Sequence, residues 1–576
     1  MADRIGSREL AELGEEFFEV QNTTDPLSIT LLGVQGYDHL LPDPSREGSA
    51  RAARQIQSIE DRVAGLDSNA LDDVDRIDSA VLARLAWGAR TDLEQGIWEA
   101  SAASEGYASP PAMVFMCVPS VTVASSDAAT AYLTRLNGLG DYFDAITERY
   151  AQSQVDGRHS TLAGLSRSID QLRGHLDLAL EEDLLANPPI GEGFDAQSFL
   201  NESRCVVASS VRPAMARLVD YMTGEMSTVA RDDGHVGIMH VPGGEANYRQ
   251  AVRRQTTTDL SPEEIHHIGL DRIESLKVEF SDLGARVLGE SDVPTVLSRL
   301  REDRSLRFNT SEEIVKVAQD CLDRAEAARD DWFPPYRIVP CIIEEVHPIE
   351  ARNAALAHYR PPTSDGSRLG AHCILTLEPQ ERFRYEYEAL SFHESTPGHH
   401  LQIATAQTLT NLPRYRRFLD AQACAFIEGW GLYSERLADE MGLYSSDLAR
   451  LGMLSFDALR ACRLVVDTGM HHLGWSRSQA IAYMWENTAT TKSNVANEID
   501  RYIGWPAQAL AYMIGRREIQ RLRAVATDQL GDLFDVRGFH GAVLGNGAVP
   551  LDVLEQLVTT WISQTANSSS TRNNPA

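Results

Sequence analysis

Apolar positions recur at i, i+3 and i+4 over 51–65, 127–151, 159–187 and 507–530. That is the period of a helix with one buried face. Start signals fall where helices should open. Ser261-Pro262-Glu263-Glu264 reads as a capping box with proline at the first helical position. Thr310-Ser311-Glu312-Glu313 repeats the capping pattern before Ile314, Val315, Val317 and Ala318, and Ser476-Arg477-Ser478-Gln479 opens a helix containing Ile481, Met484 and Trp485. No repeat of fixed period runs through the chain. The helical pattern gives way over 336–346 and 371–377, which are short, β-rich and separated by turn residues. They predict a small antiparallel sheet, whose free edge would either pair with an extended substrate or form an ordinary hairpin. The expected fold class is mainly α.

The densest chemistry follows that sheet, in Phe392-His393-Glu394-Ser395-Thr396-Pro397-Gly398-His399-His400-Leu401-Gln402. Imidazoles and a carboxylate at this density suit a hydrolytic zinc site, where neutral histidines hold the ion and a carboxylate takes a proton from its water. The spacing differs from H-E-x-x-H, which sets two histidines on one helical face. On an unbroken helix His393 and His400 would share a face yet stand about 10 Å apart along the axis, too far for one zinc. Pro397 disfavours helical geometry at Thr396, and Gly398 accepts most dihedrals. The pair therefore reads as an insertion that bulges the turn and returns His399 or His400 to His393.

A third ligand is expected in Ala425-Phe426-Ile427-Glu428-Gly429-Trp430-Gly431-Leu432-Tyr433-Ser434-Glu435. Glu428 lies in an apolar stretch, where a carboxylate is costly unless paired or metal-bound, so it is the expected ligand. Glu435 has Arg436 beside it and reads as a solvated residue or a group behind the ligands. Arg463, Asp467 and His471 are spaced by four and share one helical stripe. Asp467 would then hold one His471 tautomer, leaving a ring nitrogen for substrate. Tyr512 follows a break at Pro506, and its phenol is a candidate oxyanion donor. Arg501 suits a substrate carboxylate, since a guanidinium grips both oxygens, or else pairs with Glu498 or Asp500.

HExxPGHHLQ followed by EGWxLYxE resembles a large, poorly characterised bacterial family, distantly similar to the helical zinc carboxypeptidases of the angiotensin-converting-enzyme type. Val466-Asp467-Thr468-Gly469-Met470-His471, Gly474-Trp475-Ser476 and the run from Arg501-Tyr502-Ile503-Gly504-Trp505-Pro506 to Tyr512 extend the resemblance. Gly243-Gly244-Glu245-Ala246-Asn247-Tyr248, Tyr359-Arg360-Pro361-Pro362 and Asp365-Gly366-Ser367 carry it upstream. The resemblance implies a two-lobed helical, zincin-like fold with a deep cleft and one zinc. It implies His400 as the second ligand, because in the related carboxypeptidases an apolar residue and a glutamine follow that histidine. It also implies that His471 and Tyr512 lie near the cleft in catalytic roles.

Net charge is −30, from 53 basic and 83 acidic residues, which disfavours nucleic acid and anionic membrane as partners. No apolar run is long enough to span a bilayer. The first residues lack the apolar core of a signal peptide. Cys117, Cys205, Cys321, Cys341, Cys373, Cys424 and Cys462 are scattered and odd in number, which suits a reducing compartment. The expectation is therefore a cytoplasmic protein with one helical domain over 1–566 and a disordered tail over 567–576. The expected function is zinc-dependent hydrolysis of an amide in a small peptide or N-acyl substrate. His393, His400 and Glu428 would hold the ion, with Glu394 as general base and His471 or Tyr512 at the oxyanion. Two alternatives use the same residues: acyl transfer to an amine, and a non-catalytic scaffold whose metal site is closed by Cys424.

Overall fold

The computed structural model describes residues 5–104, 106–346, 355–419 and 423–572. The chain is mainly helical, with one small sheet. Buried apolar side chains form two large clusters. One is built on Leu27 and residues between Ala102 and Met226. It includes the helices Ser126–Val155 (α1) and Leu162–Asp177 (α2). The periodic stretch 159–187 thus ends early as helix, because the chain turns at Leu178 into extended backbone. The other cluster draws on residues before Ala102 and from Val236 onward. Arg231 ties together the two crossings between them. It donates to the carbonyls of Ala100 and His159 and to those of His235, Val236 and Gly237.

The capping signals operate as the sequence suggests. Ser261 and Glu264 exchange bonds at the start of Pro262–Leu288 (α3), and Ser476 and Gln479 do the same at theirs. Thr310 caps Ser311–Trp332 (α4), but the Glu313 carboxylate reaches the Asn309 N–H, one residue further back than a capping box requires.

The sheet is mixed, not antiparallel. Strands Cys341–Glu345 (β1), Ala357–Arg360 (β2) and Gly370–Ile374 (β3) lie in the order β1-β3-β2. β1 runs parallel to β3 and β2 antiparallel to it. The two β-rich stretches are thus neighbours as predicted, but β2 intervenes in sequence and reverses the expected sense. β3 is buried throughout and hydrogen-bonded on both sides, so a substrate strand could add only at β1 or β2.

The histidine-rich motif follows the sheet as Tyr387–Glu394 (α5), a break, and His399–Thr408 (α6). Then come Cys424–Glu440 (α7), Asp447–His471 (α8), Lys492–Gly504 (α9) and Ala511–Leu530 (α10). α7 and α10 cross with their backbones almost touching. A Cβ on Gly429 would come within 2.5 Å of the Gly515 Cα, and one on Gly515 would overlap the Ala425 carbonyl oxygen. Only glycine at both positions permits this approach, which sets Glu428 and Tyr512 on facing helices at one level. The last helix runs from Leu551 to Arg572. The tail expected to be disordered from 567 is therefore helical as far as Arg572, and 573–576 lie outside the described residues.

Gly515→Ala must push α7 and α10 apart, at an expected cost on the order of 1–3 kcal/mol or more. Urea unfolding measures this, and an unchanged midpoint would show that the crossing tolerates a side chain.

Candidate metal centre

The break between α5 and α6 does the work that the Pro397-Gly398 insertion suggested. Ser395 and Gly398 adopt non-helical dihedrals at the two helix ends, and the Thr396–Pro397 bond is cis. The Pro397 carbonyl accepts from Trp430 Nε1 at 2.9 Å and Ser434 Oγ at 3.2 Å, and Thr396 Oγ1 donates to Glu326 at 2.6 Å. A Cβ on Gly398 would overlap the His393 carbonyl. The chain thus doubles back tightly enough to set the first residue of α6 beside the last turn of α5.

That residue is His399. Its ring centre lies 4.6 Å from that of His393, at 87°. Both Nε2 atoms face one oxygen of Glu428, at 3.8 Å from His393 and 3.5 Å from His399. His393, His399 and Glu428 each offer one ligand atom, all within 4.8 Å of one another, and form the only such cluster among the described residues. Tetrahedral zinc with bonds of about 2.0–2.2 Å separates its ligand atoms by roughly 3.3–3.5 Å, so the donor set fits zinc in type, number and spacing.

His400 faces the other way, which corrects its expected role. Its Nε2 donates to the Val339 carbonyl at 3.0 Å and its Nδ1 accepts from the Tyr359 hydroxyl at 3.0 Å. Both nitrogens are spent on the sheet side, and burial pushes its pKa down to about 4. Successive helical residues point about 100° apart, so only one of the two histidines can face Glu428.

Opposite charges hold the cluster together. Burial works against the charge on Glu428, yet the two imidazoles hold its carboxyl well below the usual range. Burial also opposes charge on His393, but Glu428 and Glu435 draw it up to about 9. Glu435 lies two turns beyond Glu428 on α7 and is not solvated. It is 1 % exposed, accepts from His393 Nδ1 at 2.9 Å and pairs with Arg460 at 3.2 Å. Arg436, the neighbour that suggested a solvated face, turns away to Glu279 and Asp457. Donation of the Nδ1 proton to Glu435 leaves the His393 Nε2 lone pair toward Glu428 and His399, the arrangement that metal-binding histidines use. Gly431 makes room for this ring, since a Cβ there would lie 2.7 Å from His393 Cε1.

Glu394 is buried beside His393, and none of the described residues is shown hydrogen-bonding its carboxylate. Tyr512 stacks on His393 with ring centres 6.3 Å apart at 20°, while the Arg463 guanidinium lies 4.2 Å from the centre of the Tyr512 ring. Burial and nearby Glu428 push the phenol up to about 12, against the pull of Arg463 and Arg501. Arg501 donates to Gln508 at 2.8 Å and pairs with Glu498 at 3.2 Å. Asp500 instead pairs with Arg167 and Arg477.

His471 does not take the role expected of it. Its Nδ1 accepts from the Ile238 N–H and its Nε2 donates to the Tyr502 carbonyl, both at 3.0 Å. Burial pushes it down to about 3. Neither nitrogen is left for substrate. Asp467 does not orient it either. It accepts from the Tyr248 hydroxyl at 2.6 Å and from the Ala507 N–H at 3.1 and 3.2 Å. Asp467 thereby anchors the turn that launches α10 and Tyr512. Ala507 has a positive φ of 69° in this turn. Cys424 stands apart from the cluster, accepting from Gln508 at 3.7 Å.

Residues 26–558 match the family model described as bacterial protein of unknown function, DUF885. The chain belongs to this family. The crystal structure of a "putative lipoprotein" from Colwellia psychrerythraea superposes with a TM-score of 0.88 at 26% identity, covering 97% of this chain and 99% of that one. A "putative lipoprotein of unknown function" from Shewanella oneidensis gives 0.71 at 17% identity, covering 96% and 99%, and shows the shared fold. No curated protein matches the chain. These relatives overturn the expectation of a cytoplasmic location. Only Cys205 is exposed among the seven cysteines, and buried thiols are shielded from oxidation in any compartment. No helix among the described residues is long and apolar enough to cross a membrane.

The geometry separates the two late histidines by experiment. Elemental analysis should find about one zinc per chain in native protein, none in His399→Ala and an undiminished amount in His400→Ala. The reverse pattern would return the ligand role to His400. Glu435→Gln should weaken zinc binding about 10–100-fold, measured by competition with a chelator. Unchanged affinity would make Glu435 a packing residue only.

Proposed function

We propose that this DUF885 protein is a zinc-dependent hydrolase acting on amide bonds of small peptides or N-acyl compounds. The reading is carried by the convergence of His393, His399 and Glu428 beside the free carboxylate of Glu394. A zinc ion there would polarise a substrate carbonyl and make a bound water acidic near neutral pH. The remaining roles belong to the chain's own groups. Glu394 takes the proton from the attacking water and later passes it to the leaving amine. The Tyr512 phenol keeps its proton at neutral pH and donates a hydrogen bond to the oxyanion that develops on the substrate carbonyl. Glu435 fixes the His393 ring, and Arg501 is the guanidinium offered to a substrate carboxylate. His471 takes no part in the chemistry. Because the Colwellia psychrerythraea relative is described as a putative lipoprotein, we take this hydrolysis to occur outside the cytoplasm.

Glu394→Gln should keep its zinc and lose turnover by about 100-fold or more on a panel of short peptides and N-acyl amino acids. Full turnover with zinc bound would remove Glu394 from the mechanism.

A further inference from the structure

Four buried polar atoms along α6 have no hydrogen-bond partner among the described residues. They are His399 Nδ1, the oxygen and the nitrogen of the Gln402 amide, and Thr405 Oγ1. Gln402 is 1 % exposed and Thr405 0 %. Gln402 carries the one side-chain amide, among the described residues, whose two ends are both buried and unpaired. Each such group gives up its water without recovering a hydrogen bond, and that is costly. The three residues are spaced by three, and helical neighbours at that spacing stand about 5–6 Å apart at Cβ. Side chains on a helix lean toward its N-terminus, so Gln402 leans toward His399 and Thr405 toward Gln402. The Gln402 backbone N–H donates to the Gly398 carbonyl at 3.1 Å, which fixes this first turn of α6.

The two histidines of the cluster are backed unequally. His393 Nδ1 donates to Glu435 at 2.9 Å, whereas His399 Nδ1 meets no acceptor among the described residues. His399 turns its Nε2 toward Glu428. A neutral imidazole that offers the lone pair of one nitrogen carries its proton on the other. As a ligand, His399 therefore presents an Nδ1–H, and metal-binding histidines give that proton to an acceptor. We propose that Gln402 is the positioning residue for His399, its amide oxygen accepting from Nδ1–H and its amide nitrogen donating to the Thr405 hydroxyl. Thr405 then donates to the Leu401 carbonyl four residues back, a bond that threonine makes within helices. This relay gives each of the four atoms a partner by turning side chains alone. It is also neutral from end to end. The carboxylate behind His393 is matched by Arg460, and an amide behind His399 needs no such counter-ion. The assignment rests on the metal reading and names the group that holds its second imidazole in place.

The test sets zinc affinity, by competition with a chelator, beside urea unfolding of the zinc-free protein. It uses the full-length native chain, Gln402→Met, Gln402→Glu and His399→Ala. Methionine matches glutamine in length and offers no comparable acceptor. Gln402→Met should bind zinc about tenfold or more weakly, while its zinc-free unfolding midpoint equals or exceeds the native one, because the unpaired amide is gone. A residue that only packs would move both readouts the same way. Gln402→Glu restores an acceptor oxygen and should return the affinity to within about threefold of native. Native affinity in Gln402→Met, with zinc lost from His399→Ala, would overturn the relay and leave the metal reading standing. A lowered zinc-free midpoint in Gln402→Met would overturn it as well, since the amide would then be contributing without metal. Failure of the native chain to take up zinc would overturn the metal reading, and the relay with it.

Discussion

The site depends on a carboxylate held inside an apolar helix. Glu428 lies between Ile427 and Gly429, with Trp430 following. A charge there must be repaid by partners that stay in register. The two imidazoles supply part of the repayment, and their register rests on steric constraints more than on hydrogen bonds. Gly398 lets the chain fold back on the His393 carbonyl, Gly431 opens a gap for the His393 ring, and Gly429 with Gly515 lets α10 reach the level of Glu428. Each of these glycines sits where a methyl group would collide with a backbone or ring atom, and none of the four has a positive φ. They are required for close approach, not for backbone freedom.

Charge is compensated in two directions from the cluster. Behind His393, Glu435 is paired with Arg460, so the ring donates to an ion pair that is nearly neutral overall. A group of that kind can hold the imidazole without drawing its proton away. Beside Tyr512 the balance tips the other way, with Arg463 and Arg501 exceeding Glu498. Negative charge gathers at Glu428 and Glu435, and positive charge at Arg463 and Arg501. The Tyr512 ring lies against both, stacked on His393 and 4.2 Å from the Arg463 guanidinium.

Most of the helices and the identity of the reactive segment were legible in the sequence, because period and caps are local properties. The choice between His399 and His400 was not. It depends on which residue begins α6, and a shift of one position rotates the side chain by about 100°. The glutamine and leucine that favoured His400 by resemblance say nothing about that phase. The signal that could have helped is Tyr359 in the motif upstream, whose half-buried hydroxyl bonds His400. Glu435 was visible as a residue seven places after Glu428, nearly two turns along one face, but the adjacent Arg436 suggested solvent. The spacing of Asp467 and His471 placed both on one helix correctly. Their partners, Ala507 and Ile238, come from distant segments that carry no local mark.

Those distant partners explain why residues without a part in the chemistry still matter to it. His471 joins three pieces of chain: the end of α8, the segment at Ile238 and the end of α9 at Tyr502. The same α9 end carries Arg501, and the turn that follows is pinned by Asp467 before α10, with Tyr512 in its first turn. Tyr502 is thus held by its carbonyl to His471 and by its hydroxyl to Arg463 and Glu498. A loosened His471 would therefore shift the cationic pair and the phenol together, while leaving His393, His399 and Glu428 on α5, α6 and α7. The His393–His399–Glu428 cluster and the Arg463–Arg501–Tyr512 group belong to different stretches of chain, and the α7–α10 crossing at Gly429 and Gly515 holds the two together.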